Sequence, residues 1–321
     1  MEEYIANAQP VGSRTLVDRY RLGVSPATVR NELSVLEDEG YLTSPHTSAG
    51  RVPTDAGYRA FVDDVLDREF GEAADGGAFD ELREAATKVD ELMEQTSAAL
   101  TRLTDCLSVV VAPSVAGATI KQVSLVSLAP RRVLMVVVTD DGQVFDRTTE
   151  FREDVDCDEL ARVQNALNAA LSGESVAALR EEGAAKATET LHTPLGRAVV
   201  EELSACLDKA DAARAHQLGL SSLLRTPEFS TAAAALPILQ VLEDDTVLMH
   251  LFDDVGQGDA PVKVRIGTEN AARELSGVSV VAAQYGAAGG QGIVAVIGPT
   301  RMDYSKVIRV VHSAKSALRD L

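Results

Sequence analysis

Residues 10–58, PVGSRTLVDRYRLGVSPATVRNELSVLEDEGYLTSPHTSAGRVPTDAGY, constrain the fold of this chain more than any other stretch. Ser13 to Tyr20 reads as a short helix with an apolar stripe of Leu16, Val17 and Tyr20. Gly23, free to take a positive φ, makes the tight turn that follows. Ser25 is a good N-cap and Pro26 suits a first helical position, where its missing N–H costs nothing; Gly40 supplies the stop. On this second helix Val29, Leu33 and Leu36 recur at i, i+4, i+7 and are expected to face the core. That turns Ala27, Asn31 and Ser34 outward, with Thr28 and Arg30 on the flanks. Tyr41-Leu42-Thr43 then reads as a strand, Ser44 to Gly50 as a loop and Arg51-Val52-Pro53 as a return strand. Thr54 caps a helix carrying Tyr58, Phe61, Val62 and Leu66. This order is the plan of a winged helix-turn-helix.

The chemistry of those positions points to double-stranded DNA. Arg pairs bidentately with guanine and Asn with adenine, while Ala and the Thr methyl pack on thymine methyls. Ser25, Ala27, Thr28, Arg30 and Asn31 are therefore the candidate major-groove readers. Arg14 and the loop residues His46, Thr47, Ser48 and Arg51 offer the donors that contact phosphate or enter a minor groove. Taken singly, each feature also fits a bland reading, the helix as one with a solvated face and the loop as a plain turn.

Charge argues against easy DNA binding. The chain carries −19, and residues 1–66 hold six arginines and no lysine against ten acidic groups, a net −4. The expectation is weak non-specific affinity. Specificity is expected to rest on a local patch of Arg14, Arg19, Arg21, Arg30 and Arg51, and on two-site binding.

Length and 45% hydrophobic residues allow two or three domains with real cores. No apolar run approaches the roughly 20 residues of a membrane span and no signal peptide opens the chain, so no membrane association and a cytoplasmic location are expected. Cys106, Cys157 and Cys206 are isolated thiols, and the five histidines are scattered, so neither disulfides, a metal site nor a cofactor is expected. No nucleophile elbow, Walker loop or paired-acid site suggests an enzyme. The glycine-rich run 286–292 lacks the Lys of a phosphate loop and reads as a hairpin connection.

Along the chain, 1–66 is the winged helix and 67–78, acidic and Gly-rich, a linker. Phe79 to Leu103 reads as a long helix. From Ser108 the runs VVVAPS, KQVSLVSLA, RVLMVVVT and QVFDRTTEF suggest an antiparallel meander, closed by a helix from Asp156 to Leu171. Residues 172–226 are helical and interrupt the strand pattern. They carry an amphipathic run of Leu195, Val199, Val200, Leu203 and Leu207, suited either to a partner chain or to local packing. Strands resume at VKVRIG, VSVVAAQY and QGIVAVIG, ending in a helix from Asp303 to Leu318. The whole is α+β and multidomain, with 79–171 and 227–321 as two halves of one domain.

The strings SPATVRNE, LEDEGYL, PHTSAGRVPTDAGYR and, far downstream, GPTRMDY (Gly298 to Tyr304) closely resemble the heat-inducible transcription repressor family HrcA. The resemblance covers nearly the whole chain. It implies a bacterial repressor that binds an inverted-repeat operator of heat-shock operons as a homodimer, with the chaperonin as modulator of its activity. It names 79–171 plus 227–321 a GAF-like domain and 172–226 an inserted dimerisation domain. It also implies a turn or more of helix ahead of Met1 to Ala6, where only Tyr4 and Ile5 supply apolar contacts. The alternative is a ligand-sensing GAF-type regulator in which DNA binding is weak or lost. At Arg301 an effector or partner contact is conceivable from the motif alone.

Overall fold

The computed structural model describes residues 1–46, 50–69, 89–113, 115–140, 142–179, 193–212, 215–243, 252, 255, 260–270, 275–286 and 291–319. Helices α1 (Glu2–Asn7), α2 (Ser13–Tyr20) and α3 (Pro26–Asp38) precede strands β1 (Leu42–Thr43) and β2 (Val52–Pro53) and helix α4 (Asp55–Glu69). Helix α5 (Val89–Thr104), β3 (Leu107–Val111), β4 (Ile120–Ala129), β5 (Arg132–Thr139), β6 (Val144–Glu150) and α6 (Cys157–Leu171) follow. Next come α7 (Pro194–Ala212), β7 (Ala215–Leu218), α8 (Leu220–Leu224) and α9 (Ala232–Glu243). Strands β8 (Lys263–Ile266), β9 (Val278–Tyr285) and β10 (Gly292–Pro299) and helix α10 (Tyr304–Ala317) close the chain. Helices and sheets are mixed throughout, as the expected α+β class requires.

The chain divides into two compact units. One holds Met1–Val111, His216–Tyr285 and Ile293–Leu321, the other Ala112–Ala215 with Gly286–Gly292. This division is not the expected one. The meander does not complete the sheet of the C-terminal strands; it travels with the helical segment after it, so the excursion begins near 112 rather than 172 and ends near 215 rather than 226. The physical reason is which faces find apolar partners. Strand β3, which holds the three valines of the VVVAPS run, pairs antiparallel with β10 in a five-stranded sheet of order β7-β3-β10-β9-β8. Strands β4, β5 and β6 form a separate antiparallel sheet.

In the first unit α5 packs on β3, and α10 packs on β9, on α5 and on α4. All five residues of β3 are buried, so both its faces are covered, which fits a sequence that is apolar except for Ser108. Asp303 caps α10 by accepting from the Lys306 N–H at 3.1 Å. The expected linker at 67–78 starts late: Asp67 to Glu69 are still helical in α4, and 70–78 lie outside the described residues, as does 79–88 of the expected long helix.

In the second unit Val133, Met135 and Val137 of β5 alternate inward with Ile120, Val123 and Leu125 of β4. Helix α6 covers them with Leu160, Val163, Leu167 and Leu171, a helical-period stripe. Val199, Val200, Leu203 and Leu207 of α7 fill the same core, fully or almost fully buried. The stripe reserved for either a partner chain or local packing therefore packs locally, and those side chains are not free to meet a second copy. Gln164 and Asn168 of α6 reach over the edge of β4. Gln164 Oε1 accepts the Leu125 N–H at 2.7 Å, and Asn168 takes the Val123 N–H at 2.8 Å and donates to its carbonyl at 2.7 Å. Among the described residues no helix is long and apolar enough to cross a membrane.

Candidate nucleic-acid interface

Helix α3 begins where expected. Ser25 is its N-cap, its Oγ accepting the Thr28 N–H at 3.1 Å, with Pro26 in the first turn. Gly23 (φ 71) makes the turn from α2, and Gly40 (φ 84) follows the helix end. Val29 is buried and Leu33 half-buried, whereas Ala27, Thr28, Arg30 and Asn31 are all exposed. The structure thus brings four of the five expected readers onto one open surface near a helix N-terminus. The fifth, Ser25, is engaged locally: its hydroxyl caps the helix and lies 2.9 Å from that of Thr28.

Two expectations about α3 need correction. Leu36 does not reach a core; it is 39% exposed. Ser34, expected to point outward, is half-buried. A cavity of about 410 Å³ lies against α3, lined by Met1, Tyr4, Leu16, Leu33, Leu36 and Tyr41 among others. Apolar periodicity gave the right stripe, but a stripe is buried only as far as a partner element extends.

The arginine patch is smaller than expected. Arg51 is 22% exposed; its Nη2 lies 2.7 Å from Glu37 Oε2 and its Nη1 donates to Ser44 Oγ at 3.2 Å. Backbone bonds of 2.9 Å in both directions tie Arg51 to Val11. Its guanidinium therefore binds the hairpin to α3 and is not presented to a phosphate. Arg19 is likewise drawn away, 2.7 Å from the buried Glu3 carboxylate, which also takes Asn7 Nδ2 at 2.6 Å. Arg19 nonetheless stays 58% exposed, and Arg14, Arg21 and Arg30 are exposed as well. His46 is exposed at the base of the hairpin loop, with the Ser44 hydroxyl donating to its carbonyl at 3.1 Å. Thr47 and Ser48 lie outside the described residues. Glu37 and Glu3, which decide which arginines are available, carry no signal in sequence spacing, because the pairs form across elements.

Arg301 has an internal task. Its Nε and Nη2 donate to the two carboxylate oxygens of Glu228, and Nη1 reaches the Ile5 carbonyl at 3.4 Å. Among the described residues no group of three or more His, Cys, Asp or Glu is placed to hold a metal.

A family model described as the HrcA protein C terminal domain matches residues 90–308. The chain is 37% identical to a heat-inducible transcription repressor HrcA of Nocardioides sp. over 98% of its own length and 93% of the relative's. It is 35% identical to the protein of the same name from Leifsonia xyli subsp. xyli, over 100% and 95% of the two lengths. A crystal structure titled as a hypothetical protein matches with a TM-score of 0.69 at 23% identity, covering 99% of this chain and 94% of that one, a likeness of fold. A family match over most of the chain, together with full-length relatives above 30% identity, places this chain in the HrcA family of heat-inducible transcription repressors.

Proposed function

We propose that this chain represses heat-shock operons by binding an inverted-repeat operator as a homodimer, with residues 1–69 acting as a winged helix-turn-helix. The observation that carries the reading is the open surface of Ala27, Thr28, Arg30 and Asn31 at the N-terminal end of α3. Their donor and methyl chemistry matches base edges in a major groove. The hairpin of β1 and β2 is the wing, with His46 exposed at the base of its loop and Arg51 as the brace that holds it to α3.

The remainder of the first unit is taken as the GAF-like domain and the second unit as the dimerisation domain. Support for a second copy comes from the outer face of the β4–β6 sheet. There Leu134, Val136 and Val138 alternate with the buried row, and they stand beside Val126 and Val144, which are 46% and 59% exposed. Apolar rows on an uncovered sheet face mark interaction surfaces. A chaperonin as modulator rests on the family resemblance, and the exposed Tyr20, Leu22, Val24 and Val35 of the head are side chains of the kind such a partner holds.

The test is a gel shift on an inverted-repeat promoter fragment. Arg30→Ala and Asn31→Ala should each weaken binding by about 1–3 kcal/mol and relax specificity at the base they read. Binding that survives both substitutions unchanged would overturn the assignment of α3.

A further inference from the structure

Within the first unit, the head (Met1–Glu69) sits on the five-stranded body through α4. The apolar part of the seam is Tyr58, Val62 and Val65, one face of α4, all buried. The Tyr58 and Tyr304 rings lie 6.0 Å apart, and burial raises the pKa of both phenols. Around it runs a set of polar contacts with close geometry. Asp55 Oδ2 accepts from Thr268 twice, from its N–H at 2.9 Å and from its hydroxyl at 2.8 Å. The turn bearing Thr268 closes so tightly on Asp55 that a Cβ at Gly267 (φ 54) would collide with that carboxylate. Arg59 grips Glu269 with both Nε, at 2.8 Å, and Nη2, and gives Nη2 to the Val264 carbonyl at 2.7 Å as well. Glu269 also accepts the Ile266 N–H at 2.9 Å, so the carboxylate that holds Arg59 is itself fixed by its own turn. On the far side Arg301, anchored on Glu228, reaches the Ile5 carbonyl in α1.

None of these residues lies on α3, so the seam fixes the head without occupying its reading surface. Bidentate Arg–carboxylate pairs add direction as well as attraction, which a purely apolar seam does not. We propose that Asp55, Arg59, Thr268, Glu269 and Arg301 form a positioning clamp that sets the direction of α3 relative to the body. The clamp thereby selects the half-site spacing a paired molecule can straddle; this deepens, and rests on, the operator reading given above. A swivelling head reads one half-site as well as a clamped one. What it loses is effective concentration at the second site and the preference for half-sites about 34 Å or a multiple apart. With the clamp closed, the ordering cost falls on folding and not on DNA binding.

The test uses the full chain with Glu269→Gln combined with Thr268→Val, and the charge swap Arg59→Glu with Glu269→Arg. Three duplexes are titrated: one half-site, the inverted repeat, and the inverted repeat with its spacer lengthened by about half a helical turn. The first variant should bind one half-site like the unsubstituted chain, lose at least about tenfold on the inverted repeat, and be less penalised by the longer spacer. The swap should recover part of that loss. Unchanged affinity and unchanged spacer penalty would overturn the clamp, as would an equal loss on the single half-site, which would mean damage to the head itself. Spin labels at Glu39→Cys and Ser276→Cys, in a Cys157→Ser background diluted with unlabelled chain, give a readout without DNA. The clamp predicts a narrow distance that broadens in the variant; a distance equally narrow in both sinks it. If the unsubstituted chain binds no duplex, the operator reading fails while the label distances still decide the clamp.

Discussion

Arg51 divides its guanidinium between Glu37 and Ser44, and its Nε is buried without an acceptor, whereas Arg30 stands exposed on the helix that carries Glu37. Two side chains of identical chemistry therefore serve different ends, and substitution separates them. Arg51→Ala leaves Glu37 unpaired and should lower unfolding stability by about 1 kcal/mol, a figure kept small because both partners are partly solvated. Arg30→Ala should leave the urea midpoint unchanged and act on DNA affinity alone. A second residue sets a pH limit. Burial, aided by the charge of Lys315, holds the His312 imidazole below its ordinary value of 6.5. The unfolded chain then takes up the proton first, so stability is whole above pH 6.5 and drains away as the pH falls through the lowered folded value. Equilibrium unfolding measured from pH 7.5 downward should show this slope, and His312→Gln should flatten it. The exposure of Ala27, Thr28, Arg30 and Asn31 on α3 was legible because it follows from a local code of cap, turn and helical period. The fates of Arg51 and Arg19 were not, because their carboxylate partners lie on other elements.

Helix α6 shows how one element solves two problems. Its apolar stripe closes the core of the second unit, while Gln164 and Asn168, one turn apart, satisfy backbone groups of the edge strand β4 that would otherwise offer themselves to another chain. Asn168→Leu keeps the branched side-chain shape and removes both bonds to Val123. It should cost about 1–3 kcal/mol in urea unfolding and raise the tendency to aggregate, as read by light scattering. The stripe of α6 was visible in its spacing, and Asp156 as its cap fits the expected helix start. The edge-covering role was not visible, since Gln and Asn on a helix ordinarily face water. Helix α3 carries the opposite lesson: its stripe is intact in the sequence, yet Leu36 stays 39% exposed.

At the scale of the molecule, electrostatics and topology decide how DNA can be approached. A chain of net charge −19 gains little from long-range attraction to phosphate. In the proposed homodimer, exposed Arg14, Arg21 and Arg30 would offer six phosphate contacts. The logarithm of operator affinity should therefore fall with the logarithm of salt with a slope no steeper than about −5, near 0.9 per phosphate neutralised. A slope near zero would remove those arginines from the interface, and Arg14→Ala should shallow it by about 1 to 2 in a dimer.

The amino-acid sequence by itself determined the head: caps, glycine turns and a 3.6-residue period are local signals that act within a dozen residues, and they placed α2, α3, both hairpin strands and the exposed N-terminal face of α3. It also determined most strands and long helices among the described residues, but not β7 (Ala215–Leu218), which lies in a stretch expected to be helical, nor α9 (Ala232–Glu243). Only the tertiary structure decided which strands share a sheet, that the amphipathic stripe of α7 is spent on its own core, and which arginines are left for DNA. Those outcomes depend on contacts between residues far apart in the chain, and an apolar strand or a charged side chain carries no mark of the partner that will cover it.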